Sequence, residues 1–197
     1  MQNEPCKMRS LYEQGMPGAQ RVLYIAEKLI KKFFPRLTKH LNRQNCHVSM
    51  YSTQWFLTIF SNSFPFDLVV QVWDCFLSEG WKIVFRVMLT FMRYSAPSLF
   101  RLEFEQMMFF FKGLPEAIDG PDILEKAFKI PLRQRHIDHY IKKFNRLNPD
   151  VNAAAKKRRE QLEAEKRTAE MLSASTTQST QEKEKKEEKV KKDEEDG

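Results

Sequence analysis

This sequence is poor in the features that most chemistry and most membrane insertion require. Its three cysteines, Cys6, Cys46 and Cys75, are odd in number and lack framework spacing. A disulfide-stapled secreted module is therefore excluded, and a reducing, cytoplasmic setting is expected. The first ten residues contain Glu, Lys and Arg and no apolar run, so no secretory leader is predicted. The most apolar stretch, residues 81–94, is broken by Lys82, Arg86 and Arg93 and falls short of a membrane span. Neither glycine-rich phosphate cradle occurs, nor a G-x-S-x-G nucleophile elbow, nor an H-E-x-x-H zinc motif. His136 and His139 would share a helix face, but no third ligand has usable spacing, so they read as a surface pair and no metal is expected. From general chemistry alone the chain shows no active site. Alternating strand patterns, hairpin signals and internal repeats are also missing, which leaves an all-α chain.

What is present divides sharply near Asn148-Pro149-Asp150. Every Phe, Tyr and Trp lies in residues 1–150, where 21 Lys and Arg face 14 Asp and Glu. Beyond residue 150 there are 12 charges of each sign and almost nothing apolar to offset chain entropy. One globular unit over residues 1–148 is predicted. A solvated polar helix follows over 149–173, built of strong helix formers with opposite charges three or four apart. The 174–197 segment is polar, low in complexity and expected to be disordered.

Within the globular part each periodic stretch reads as helix. Val22, Ile25, Ala26, Leu29 and Phe33 recur at helical spacing between Gln20 and Phe33; Pro35 interrupts, and a short helix through Leu37 and Leu41 follows. A compact helix is predicted over 52–61 with Ser52 or Thr53 as its cap. Phe64-Pro65 opens another, which carries Val69, Val72, Trp73, Phe76 and Leu77 on one stripe and stops at Gly80. The next places Ile83, Val84, Val87, Met88 and Phe91 on one face. Pro97 is predicted to start a helix through Phe100, Phe104, Met107 and Phe111. Gly120-Pro121-Asp122 starts a short one, and Ile137, Tyr140, Ile141 and Phe144 close the unit. The block Met107 to Phe111 reads as core, with a hydrophobic face for a partner or for a missing piece of the same domain as the alternative.

The net charge of +7 concentrates in "EKLIKKFFPRLTKHLNR", where Lys28, Lys31, Lys32, Arg36, Lys39 and Arg43 recur. Either this is a solvated helix face, or it meets an anionic partner: an acidic protein surface, a membrane headgroup or nucleic acid. No recognised nucleic-acid motif supports the last, and none is expected as a partner.

Residues 50–94 resemble the C-terminal half of a TBC domain, the Rab GTPase-activating module. The resemblance is carried by Gln54-Trp55-Phe56 with Phe60, then Phe64-Pro65, then Val72-Trp73-Asp74, then Glu79-Gly80 and the helix of Ile83, Phe85 and Arg86. It extends over residues 11–130, upstream through "GMPGAQRVLYIAEKLIKKFFPRLTKHL". The resemblance implies an all-helical partial domain without a cofactor that acts on a GTP-bound Rab protein. Such a domain is an activator, not an enzyme with its own substrate, and it associates with endomembranes through the Rab. Gln54, Trp55, Phe56, Phe60, Pro65, Trp73, Asp74, Glu79 and Gly80 are its structural signature, and Lys28, Lys31, Lys32 and Arg36 are candidates for partner binding.

The family works in trans, with an arginine from an I-x-x-D-x-x-R helix and a glutamine from Y-x-Q. A trans arginine alone accelerates hydrolysis by roughly 10³–10⁵. No I-x-x-D-x-x-R string occurs in the 197 residues. "LYEQGMPG", residues 11–18, contains Y-x-Q-G-M, which makes Gln14 a candidate for the second role. In register, however, it matches the loop that turns the chain into the basic amphipathic segment, where Gly and Pro serve a bend. In the intact domain the two halves pack against each other, so an isolated half is expected to leave an exposed apolar patch larger than the few hundred square ångströms normal for monomers.

Overall fold

The computed structural model describes residues 8–114 and 120–151, with scattered positions from 153 to 168. Cys6 and the 174–197 tail lie outside the described residues. The chain divides into two units, Met1–Asn152 and Ala153–Gly197. In the second, the described positions are helical and exposed, with a Lys156–Glu160 pair at 3.9 Å.

The first unit is built of helices α1 (Arg9–Tyr12), α2 (Pro17–Phe33), α3 (Pro35–Arg43), α4 (Val48–Thr58), α5 (Phe66–Glu79), α6 (Trp81–Leu99), α7 (Phe104–Gly113), α8 (Gly120–Phe128) and α9 (Gln134–Leu147). No strand occurs among the described residues. The central element is α6. Its residues 83–85 and 87–92 are buried all round the helix, so it is wrapped and not one-faced. It packs against α5 and α8, while α2 packs against α4 and α9. Each buried Phe, Met or Leu of α6 contributes about 1.5–3 kcal/mol of transfer free energy.

Local rules explain most of the elements. Pro17 and Pro35 open α2 and α3, where a missing N–H costs nothing. Val22, Ile25, Ala26, Leu29 and Ile30 turn inward from α2, and Leu37 and Leu41 from α3. Gly18 lets α1 press against α2, because a Cβ there would sit 2.4 Å from the Ser10 hydroxyl. Gly80 ends α5 in the left-handed region at φ 66° and lets α6 start at once.

Four local expectations need correction. The fourth helix begins at Val48, not at residue 52. Ser52 and Thr53 therefore cap nothing, and their hydroxyls donate to the carbonyls of Val48 and Ser49 one turn back, at 2.7 and 2.5 Å. Pro65 is the extended residue before α5 and not its first turn. Leu77 lies off the buried stripe and is exposed, while Leu68 takes an inward place. Pro97 starts no helix: it sits inside the last turn of α6, and α7 begins after Glu103, whose N–H donates to the Gln106 side chain at 3.1 Å. Pro97 is tolerated because it and Arg93, whose carbonyl it leaves free, both lie on the exposed side of α6. Phe100 and Phe104 consequently stand outside the core.

Candidate functional site

The helical period splits the sequence signature between core and surface. On α4, Trp55 and Phe56 turn inward while Gln54 is exposed. Trp55 is the hub of the aromatic core, with ring centroids 5.6 Å from Tyr51, 5.6 Å from Phe64, 5.9 Å from Phe91 and 6.0 Å from Phe111, all near edge-to-face. Two stacked pairs flank it, Tyr51 on Phe111 at 4.0 Å and Phe64 on Phe91 at 4.5 Å. Such pairs add about 0.5–1.5 kcal/mol each beyond area burial. Among the described residues the Tyr51 hydroxyl is buried without a partner, and burial pushes its pKa far up, with Cys46 adding to the rise.

Beyond Trp55 the chain turns on two left-handed residues without glycine, Ile59 at φ 45° and Phe60 at φ 67°. The Phe60 N–H closes the helix end onto the Trp55 carbonyl at 2.8 Å. Left-handed geometry costs roughly 1–2 kcal/mol per residue. It persists here because Ile59 and Phe60 are both fully buried. The signature phenylalanine is thus held by packing against its own backbone preference.

On α5, Trp73 is half-buried, 5.8 Å from the Phe76 ring, and Asp74 is exposed. Glu79 gathers two cations, Lys82 at 2.7 Å and Arg86 at 3.4 Å, and Arg86 also donates to the Leu132 carbonyl at 3.4 Å. This ties α5, α6 and the chain before α9 together. Phe66, Val70 and Leu77 stand exposed along α5 beside half-buried Trp73. These side chains form an exposed apolar stripe on one face of α5. Of the Met107 to Phe111 block, Met107 and Phe111 are core, whereas Phe109 is exposed.

Gln14 is exposed in the turn between α1 and α2. Gly15 and Met16 are left-handed there, the Met16 N–H donates to the Glu13 carbonyl at 2.7 Å, and the Gln20 amide donates to the Gly15 carbonyl at 2.8 Å. The Tyr12 hydroxyl is hydrogen-bonded to the Leu57 carbonyl and ties this turn to the end of α4. Between α4 and α7 runs an open groove of about 1100 Å³ that includes Gln54, Trp55, Phe64 and Phe111.

The four candidate cations part company. Lys28 is half-buried, 2.8 Å from Glu27 and over the Tyr24 ring. Lys31, Lys32 and Arg36 are exposed. Lys31 borders a hollow of about 390 Å³ against α3, and Lys32 another of about 300 Å³ with His136, His139 and Tyr140 of α9. Burial pulls the His136 pKa down, helped by Lys32, Arg135 and Arg133. A cation beside the histidine pair and no carboxylate in the hollow make it a poor metal site, and no group of potential metal ligands occurs among the described residues. The cysteines are a buried Cys46 and a half-buried Cys75, both free thiols with pKa raised by burial. No described helix is long and apolar enough to cross a membrane.

An all-helical unit with this signature defines a class, and comparison places the chain within it. Residues 1–100 match the family described as Rab-GTPase-TBC domain. The chain belongs to that family. It is 32% identical over 141 residues to the mouse ecotropic viral integration site 5 protein, covering 70% of this chain and 17% of that protein. It is 30% identical over 172 residues to rat TBC1 domain family member 2A, covering 83% of this chain and 17% of that one. Against the GTPase-activating protein GYP5 of Saccharomyces cerevisiae it is 32% identical over 105 residues, 53% of this chain and 12% of the relative. The chain thus spans about a sixth or less of these proteins' lengths. The crystal structure of the Ypt/Rab-GAP domain of Gyp1p superposes with a TM-score of 0.57 at 22% identity, over 62% of this chain and 40% of that one. That likeness shows the fold.

Proposed function

We propose that this chain works as part of a Rab GTPase-activating unit of the TBC type, docks a GTP-bound Rab, and does not itself supply the reactive arginine and glutamine. Family membership supports the partner class. The observation that carries the reading is the conformation at residues 13–16. Gln14 sits on an exposed turn closed by a Glu13–Met16 hydrogen bond and two left-handed residues, a placement that suits a bend. With no I-x-x-D-x-x-R string in the sequence, nothing in the chain would neutralise charge on the transferred phosphoryl group, and that effect is worth roughly 10³–10⁵ in rate.

The signature residues Gln54, Trp55, Phe56, Phe60, Pro65, Trp73, Asp74, Glu79 and Gly80 then serve as scaffold. Residues 1–148 would be the docking domain, and the 149–173 and charged 174–197 segments appendages to it. Recruitment to the cytoplasmic face of endomembranes would follow from the Rab. The test has two readouts, single-turnover GTP hydrolysis across a Rab panel and capture of the chain by GTP-locked Rabs. Capture without acceleration is expected. Acceleration abolished by Gln14→Ala would overturn the assignment of that residue, and absence of both signals would overturn the docking role. The second reading is a trafficking interaction module without turnover, favoured by the exposed apolar stripe of Phe66, Val70 and Leu77. Capture that Phe66→Ser and Leu77→Ser abolish would support it.

A further inference from the structure

The cations of the first unit follow two rules. Around α5, α6 and α8 most are paired, Lys82 and Arg86 with Glu79, Lys126 with Asp122, Lys129 with Glu125, while Arg93 stands alone on α6. At the end of α2, along α3 and on α9 they are not. Among the described residues, Lys31, Lys32, Lys39, Arg43, Arg133, Arg135 and Lys143 make no ion pair with a carboxylate. The nearby acids are already engaged, Glu27 with Lys28 and Asp138 with the Gln134 amide at 3.0 Å.

Four of these charges, Lys31, Lys32, Lys39 and Arg43, border hollows. The hollow between α2 and α3 is lined by Lys31, Lys39 and Arg43 together with Pro35, Thr38 and Asn42. Lys39 and Arg43 stand four residues apart on α3, a spacing at which like charges repel by about 0.2–0.5 kcal/mol. Cations near a helix C-terminus offset its dipole, which accounts for Lys31 and Arg43 separately. It does not account for Lys39, nor for three cations around one hollow without a carboxylate. Asn42 adds an amide that makes no hydrogen bond among the described residues. Lys32, next to Lys31, carries the same polarity round to the hollow of His136 and His139.

We propose that the end of α2, α3 and the adjoining face of α9 form a docking site for phosphate headgroups of an anionic lipid surface, centred on Lys31, Lys39 and Arg43 and flanked by Lys32 and His139. The three central cations would seat one phosphate, with the Asn42 amide as a further donor. A charged lipid surface fits better than a nucleic acid or a phosphopeptide because the cations spread over three helices, while the adjoining groove of about 820 Å³, bordered by Lys31, Thr38 and Asn42 and lined by Tyr24 and Phe144, also carries the Glu27 carboxylate, which disfavours an anionic chain lying in it. The site uses none of the signature residues, and of the partner-binding candidates it shares only Lys31 and Lys32, so Lys39 and Arg43 separate it from the Rab reading.

The test is co-sedimentation of the full chain with vesicles of phosphatidylcholine alone and of phosphatidylcholine containing phosphatidylserine or a phosphoinositide. Each Lys or Arg near such a surface strengthens binding about fivefold. Binding to anionic vesicles only is expected, weakened by salt, and reduced about a hundredfold by combined Lys31→Ala, Lys39→Ala and Arg43→Ala. A control with the same loss of charge elsewhere, Arg93→Ala, Arg101→Ala and Lys129→Ala, should bind nearly as the parent does. Single Lys39→Ala gives the same test with one exposed side chain changed. Equal losses in the triple variant and its control would reduce the effect to net charge and overturn the site. So would equal binding to neutral vesicles, or binding of inorganic phosphate or duplex RNA through the same residues without vesicle binding.

Discussion

The two ends of this unit handle charge and strain in opposite ways. Around Glu79, two cations close onto one carboxylate and three elements are drawn together. Around Lys31, three cations share a hollow with no carboxylate in it. The first arrangement lowers the energy of the fold; the second costs a little and leaves positive potential facing outward. Backbone strain divides along another line. Left-handed Ile59 and Phe60 are fully buried and held by the aromatic core, while left-handed Met16 stands exposed in a turn. One region is organised by what it buries, the other by what it presents.

The largest effect should come from the centre of the buried region. Trp55→Ala should cost about 3–5 kcal/mol, because four rings lose their common partner and the helix end at Phe60 loses its support. Denaturant midpoints measure this, and a loss below about 1 kcal/mol would mean that the core is not organised around Trp55. Gly80→Ala should cost about 1–3 kcal/mol, since φ 66° with ψ −149° is closed to a side chain. At the exposed left-handed residue the sign reverses: Met16→Gly should stabilise by up to about 1 kcal/mol, read as a rise in melting temperature.

Removing Lys31, Lys39 and Arg43 together should move stability by no more than about 0.5 kcal/mol. A larger change would erase the contrast, because those side chains would then be structural. The smallest effect is acidic. His136 resists protonation in the fold, its pKa lying below the ordinary 6.5, so the unfolded chain takes up the proton first. Stability should therefore fall slightly as pH drops through that range and level off once the folded state is protonated too. His136→Ala should flatten this part of the melting-temperature profile.

Much of this was legible in the chain. The faces of α2, α3 and α9 follow from Val22, Ile25 and Leu29, from Leu37 and Leu41, and from Ile137 and Phe144, because an amphipathic period marks the buried side without knowledge of its neighbours. The period misled where burial was not one-sided. Wrapped on every side, α6 gives no face to read and ran through Pro97, whose cost depends on whether Arg93 faces solvent. Ser52 and Thr53 looked like caps because their chemistry suits one, but a hydroxyl serves one turn back just as readily once Val48 has begun the helix. The basic stretch was visible as a run of charge, not as two hollows. Lys28 belonged to the run yet is held by Glu27 and Tyr24, while the partners of Lys32 lie about a hundred residues away on α9.

The sequence by itself determined that this protein is helical, which faces of its amphipathic helices turn inward, and the family to which it belongs, because each depends on local period or on rare residues at fixed spacing. Only the tertiary structure decided which charges are spent on the fold and which remain free. Coulombic pairing depends on distances of a few ångströms between helices whose packing no local pattern encodes.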